Sequence, residues 1–147
     1  MNNMRDLYQE VILDHNRRPR NFRVISEPTH TADGLNSLCG DRVSVYLNIE
    51  DGIIKDIAFQ GAGCAISSAS ASLMTEALKG KRVDDVGPLF DAFYTVVTGD
   101  SECPHGLGKL SVLAGVRDYP GRVKCATLAW HAVRAALEEH KQPAATE

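Results

Sequence analysis

The sequence predicts an α+β fold, a small antiparallel β-sheet covered by helices. Three observations carry that expectation. Val43, Val45, Leu47 and Ile49 alternate with Ser44, Tyr46 and Asn48, which is the period of a half-buried strand. Asp51-Gly52 then offers a tight turn into a second apolar run, Ile53 to Gln60. Elsewhere apolar residues recur at helical spacing in several separate segments.

The elements follow in order. Met4, Leu7, Tyr8, Val11 and Ile12 predict an amphipathic helix that ends near Arg18, ahead of Pro19. Residues 19–38 lack a clear period and are read as a loop with a short strand. The hairpin comes next, with Ile57 and Phe59 on one face of its return strand, and Gly61-Ala62-Gly63 is expected to stop it. Ile66, Ala69, Leu73 and Ala77 predict a helix running to Gly80, so Cys64 falls at a strand-to-helix junction. The serines at 67, 68, 70 and 72 read as a small-residue packing face of that helix. Residues 83–98 predict a further helix from about Pro88, with Leu89, Phe90, Phe93 and Val97 inward. Residues 99–106 have loop composition. Leu107, Leu110, Leu113 and Val116 suit a short helix broken at Tyr119-Pro120-Gly121. A final helix is expected from Lys124 to about His140, burying Leu128, Ala132, Ala136 and Leu137. One domain over residues 1–141 with a flexible tail over 142–147 is the expected organisation, without an internal repeat.

Composition narrows the function. The chain has 147 residues, 44% apolar and 24% charged, and a net charge of −3, which argues against a nucleic-acid footprint. Its basic residues cluster locally, as Arg17, Arg18 and Arg20 and as Arg117, Arg122 and Lys124. Arg5, Asp6, Glu10 and Asp14 interrupt any secretory leader in the first residues, and no apolar run approaches membrane-spanning length. A cytoplasmic protein with no membrane partner is therefore expected. In a reducing compartment, cysteines point to metal or redox chemistry before disulfides.

The four cysteines lie at 39, 64, 103 and 125, and none forms a C-x-x-C pair. Spacing alone is a weak metal signal; context adds to it. Cys39 opens Cys39-Gly40-Asp41 just before a strand, Cys64 precedes a helix, and Cys125 begins the last one. Helix starts present a positive dipole end, and thiolate is the form that binds metal and attacks sulfur. Inert packing is the competing reading for any one of them.

The strings Asn36-Ser37-Leu38-Cys39-Gly40-Asp41, Gly61-Ala62-Gly63-Cys64-Ala65-Ile66-Ser67 and Arg122-Val123-Lys124-Cys125-Ala126-Thr127-Leu128 resemble the three signatures of the IscU-like (NifU N-terminal-like) proteins of iron–sulfur cluster assembly. The resemblance runs from Leu7 through His140 and is closest to the SufU branch. Lys124 stands where the IscU scaffold has histidine, and residues 83–120 are long enough to hold the insertion that marks SufU. Ser37 departs from the usual proline, and Cys103 matches no family motif and reads as an incidental thiol.

The resemblance implies an IscU/SufU-like sandwich and a Zn²⁺ ion held by Cys39, Asp41, Cys64 and Cys125. Three thiolates and a carboxylate around one such ion leave two surplus negative charges, so Arg122 and Lys124 are the expected charge-supporting neighbours. It also implies a partner, a pyridoxal-phosphate cysteine desulfurase of the SufS kind, whose persulfide sulfur this chain accepts, with Cys39 as the expected acceptor. Downstream scaffold or apo-acceptor proteins would receive the sulfur. The alternative is a scaffold on which a transient [2Fe–2S] cluster is built on the same ligands. A closed structural zinc site is disfavoured by the aspartate, and His131 and His140 on the last helix belong to no nucleophile motif.

Overall fold

A computed structural model describes residues 3–36, 40–99, 107–138 and 144–145. The apolar stripe near the N-terminus forms helix α1 (Asn3–Arg17), which buries Tyr8 and Ile12. The aperiodic stretch after it holds strand β1 (His30–Asn36). Strands β2 (Asp41–Glu50) and β3 (Ile53–Ala62) form the hairpin expected at Asp51-Gly52. Both turn residues take positive φ, 54° and 74°, as that turn chemistry requires. Helices α2 (Ala65–Leu78), α3 (Val86–Thr98) and α4 (Val123–Leu137) follow. A 3-10 helix, Gly108–Asp118, lies between the last two, and Ala144–Ala145 form a short strand β4.

The sheet order is β3-β2-β1-β4, with the first three strands antiparallel and β4 parallel to β1. The hairpin faces its alternate residues Val43, Val45, Leu47, Ile57 and Phe59 into the core, where α2 and α4 cover them. Trp130 on α4 stacks on Phe93 (4.9 Å) and Phe90 (5.7 Å) of α3, which seats α3 on the helical layer. Helices on a largely antiparallel sheet are the α+β architecture that the alternation and the helical stripes predict.

Three boundaries differ from the sequence reading. Gly61 and Ala62 do not stop β3 but continue it, opposite Val43 and Arg42. A Cβ at Gly61 would lie 2.2 Å from the Arg42 carbonyl oxygen, so the glycine serves close strand approach instead. The segment read as a short helix over residues 107–116 is a 3-10 helix that buries Leu110, Leu113 and Val116. The last helix starts at Val123 and ends at Leu137; His140 lies outside the described residues. Of the segment 142–147, only Ala144–Ala145 is described, paired with Gly34–Leu35.

Helix α1 is tied to α2 by polar bonds. Ser72 Oγ lies 2.7 Å from His15 Nδ1 and accepts the Arg20 backbone N–H at 2.8 Å. The Asn21 amide donates to Thr75 Oγ1 at 3.0 Å. At the far side of the helical layer, Arg117 donates to the Val96 carbonyl at the end of α3 through both Nε and Nη2.

His131 packs edge-on against the Phe90 ring at 5.1 Å, beside Arg134. Burial first, and Arg134 second, hold its pKa below the usual 6.5. A histidine whose pKa is lower in the folded state stabilises the fold fully only above the unfolded value, about 6.5. That contribution is lost as pH falls from there through the folded value, because the unfolded chain takes up the proton first. His131→Gln should therefore shrink the drop in melting temperature between pH 8 and pH 5.5. An unchanged drop would remove this group from the pH dependence.

Candidate metal centre

Strand pairing assembles one end of the fold. Asn36 opposes Asp41 across β1 and β2, and Arg42 opposes Ala62 across β2 and β3. This register brings Asp41, at the start of β2, beside Gly63 and Cys64, where β3 gives way to α2. The Asn36 carbonyl accepts the Gly40 N–H at 2.8 Å, closing the turn between β1 and β2. Gly40 has φ +74°, which favours glycine there.

Cys64 is the residue that caps α2, in extended conformation, and it is half-buried. Its N–H donates to Asp41 Oδ1 at 2.9 Å. Asp41 Oδ2 lies 3.7 Å from Cys64 Sγ. The aspartate is thus divided in its work: one oxygen holds the start of α2, and the other faces the thiol. Asp41 is only 1% exposed, as is Cys125 in the first turn of α4.

Among the described residues, Asp41, Cys64 and Cys125 form a group whose donor atoms all lie within 4.8 Å of one another. Arg122 pairs first with Cys125 and then with Cys64, and these interactions raise its pKa. Lys124 is half-buried one residue before Cys125. Of the residues singled out in the sequence, Asp41, Cys64, Cys125 and Arg122 therefore come together. Cys39 and Cys103 lie outside the described residues.

The donor set fits a tetrahedral, borderline-soft cation. Bonds of about 2.3 Å to sulfur and about 2.0–2.2 Å to oxygen put neighbouring ligand atoms roughly 3.5–3.8 Å apart. The 3.7 Å between Asp41 Oδ2 and Cys64 Sγ has that length. Oδ1 accepts the Cys64 N–H and Oδ2 faces the Cys64 sulfur, so Oδ2 is the oxygen that would serve as a single-oxygen ligand. Cys39, which the family resemblance names as a fourth donor, stands two residues before Asp41 in the sequence.

Gly63 was read from the sequence as a strand stop, and β3 does end just before it; its missing Cβ has a further role. A Cβ there would sit 2.4 Å from Asp41 Oδ1 and 2.9 Å from Cγ, so the carboxylate fills the space that the glycine leaves open. Gly63→Ala should displace the carboxylate, break its bond to the Cys64 N–H, and destabilise the protein by about 1–3 kcal/mol. Urea unfolding and metal analysis would read both effects; full metal retention at unchanged stability would contradict this packing.

Elsewhere, a cavity of about 390 Å³ lined by Leu73, Glu76, Ala77, Lys79, Leu89 and Leu110 shares no residue with this cluster. No helix among the described residues is long and apolar enough to cross a membrane.

Comparison with known proteins adds the following. The model of the NifU-like N-terminal domain matches residues 7–146. The chain is 36% identical over 137 residues to the iron–sulfur cluster assembly scaffold protein IscU of Thermotoga maritima, covering 93% of this chain and 96% of that one. It is 39% identical over 132 residues to the zinc-dependent sulfurtransferase SufU of Bacillus subtilis, covering 89% of each. Among solved structures it is similar to FiSufU of Fervidobacterium islandicum AW-1, crystallised as a scaffold candidate for the SUF system. That match has a TM-score of 0.83 at 31% identity and covers 89% of this chain and 96% of that one.

Proposed function

Because this chain belongs to the NifU-like N-terminal domain family, the IscU/SufU proteins of iron–sulfur cluster assembly, we propose that it is a zinc-dependent sulfur acceptor serving a cysteine desulfurase. One observation supports this most: the donor atoms of Asp41, Cys64 and Cys125 all lie within 4.8 Å of one another, with Arg122 paired to the two cysteines. Cys39 completes the ligand set. Bound zinc would hold the thiolates deprotonated at neutral pH without redox activity of its own.

The chain's residues then do the rest. Cys125 is too deeply buried to meet a partner's persulfide, and Cys64 is fixed at the start of α2. Cys39, which lies between β1 and β2 in the sequence, is the acceptor. Its thiolate attacks the outer sulfur of the desulfurase persulfide. A new S–S bond forms on Cys39, the desulfurase S–S bond breaks, and the desulfurase cysteine leaves as thiolate. No net oxidation occurs. Arg122 and Lys124 offset the surplus negative charge of the ligand set. The partners are a pyridoxal-phosphate desulfurase and a downstream scaffold or apo-acceptor.

The names of several relatives favour a second reading, in which a [2Fe–2S] cluster is the cargo assembled on the same ligands. Lys124 supports the first, because a protonated lysine is a poor ligand and supplies charge instead. The deciding experiment follows ³⁵S from labelled cysteine through the desulfurase while metal content is measured. Zinc-loaded protein that takes up label and speeds sulfide release is expected. Protein that gains no label but passes an intact cluster to an apo-acceptor would establish the scaffold reading instead.

A further inference from the structure

We propose that Ser70 is a positioning residue for the metal centre, setting the axial register of Cys125 against Cys64. This rests on the reading of Asp41, Cys64 and Cys125 as metal ligands. Ser70 is fully buried in α2, and its hydroxyl donates to the Ala126 carbonyl of α4, the residue immediately after Cys125. A serine inside a helix ordinarily returns its hydroxyl to a carbonyl of its own preceding turn. This one crosses to the neighbouring helix.

The two helices need such a fixture. They are in contact, and each carries buried small side chains, Ala69 and Ala71 on α2 and Ala126 and Ala129 on α4. Alanine faces fill space but resist sliding weakly, because they lack long side chains to interlock. A slip of α4 by one residue shifts its backbone by about 1.5 Å. Metal–ligand distances tolerate roughly 0.2 Å. A directional bond one residue from Cys125 meets that demand, and it does so from α2, the helix that Cys64 caps.

Ser72 provides the comparison. It is equally buried on the same helix, but its hydroxyl faces α1, bonded with His15 and the Arg20 N–H. Both serines stabilise the fold, while only Ser70 is coupled to the ligands.

Cobalt(II) replaces zinc as the probe, since its visible and thiolate charge-transfer bands report coordination geometry. Wild type, Ser70→Ala, Ser72→Ala and Ser70→Thr are titrated with Co²⁺ and competed with Zn²⁺, with urea unfolding in parallel. Ser70→Ala should shift the bands and weaken zinc binding on the order of tenfold, the low end of what losing a hydrogen bond made directly to a ligand costs. Ser72→Ala should lose comparable stability with wild-type bands and affinity, and Ser70→Thr, which keeps the hydroxyl, should recover most of the binding. Wild-type bands and affinity in Ser70→Ala overturn the proposal, as do equal losses in Ser70→Ala and Ser72→Ala, which would mean general loosening. Wild type that binds neither metal would instead refute the ligand assignment itself.

Discussion

Cys125→Ser should purify with almost no zinc, and its melting temperature should fall by about 8–16 °C. The thiol is 1% exposed and lies in the first turn of α4, among donor atoms that all fall within 4.8 Å of one another. Serine keeps the shape but is a far weaker zinc ligand. A metal present at a thousandfold its dissociation constant adds about 4 kcal/mol to stability by linkage. For a chain of this size each kcal/mol moves the midpoint by roughly 2–4 °C. The fold has its own apolar core of sheet and helices, so the variant should remain folded, unlike a zinc finger. Cys64→Ser should behave similarly, whereas Cys103→Ser should leave zinc and stability unchanged. Elemental analysis and thermal denaturation decide it. Stoichiometric zinc in Cys125→Ser would mean that the cluster is not the metal centre.

What could be read from the sequence, and what could not, follows from the range of the interactions involved. The β2–β3 hairpin was legible because its determinants are local: the alternation from Val43 to Ile49, and a turn whose two residues must take positive φ. Helices α1 and α2 were legible for the same reason, each carrying its own stripe. Gly61 was misread because its reason lies across the sheet, in the Arg42 carbonyl; β3 does end just before Gly63, but what that glycine makes room for, the Asp41 carboxylate, also lies across the sheet. Local pattern shows two glycines and suggests a stop. The shift in β2–β3 pairing at Asn48/Ile49 and the pairing of Ala144–Ala145 with β1 are likewise products of register that no single segment displays.

The candidate metal centre shows the same division. Positions 41, 64 and 125 have no ligand spacing, and only the family motifs picked out Asp41 from the other acidic residues. Their convergence depends on the β1–β2–β3 register and on the placement of α4 against α2. The serines of α2 were read together as a packing face. Ser70 and Ser72 lie two residues apart, roughly 200° around a helix, so they face different neighbours. Helical geometry alone separates them; which neighbour each meets needs the tertiary structure.

Cys39→Ser should abolish sulfur uptake from the desulfurase while retaining much of the zinc that Cys125→Ser loses. The two variants differ because the remaining donors are unequal. Asp41, Cys64 and Cys125 are held by the start of β2, the cap of α2 and the first turn of α4, and they converge without help from position 39. Three ligands with an exchangeable fourth position are the pattern of reactive rather than structural zinc sites. An acceptor must also meet a persulfide carried on another protein. Cys125 is closed to that encounter by burial, and moving Cys64 would break its N–H bond to Asp41 and the cap of α2. Uptake by wild type should add one sulfur, about 32 Da, to the peptide that contains Cys39. Stimulation of sulfide release by Cys39→Ser should fall to the rate of the desulfurase alone, and the label transferred to this chain should fall to background. Zinc retention in the same preparation shows that the loss is one of chemistry and not of folding. Label found on Cys64 or Cys125, with Cys39→Ser still accepting sulfur, would transfer the acceptor role to a metal-holding thiol and require α2 or α4 to open on contact with the desulfurase.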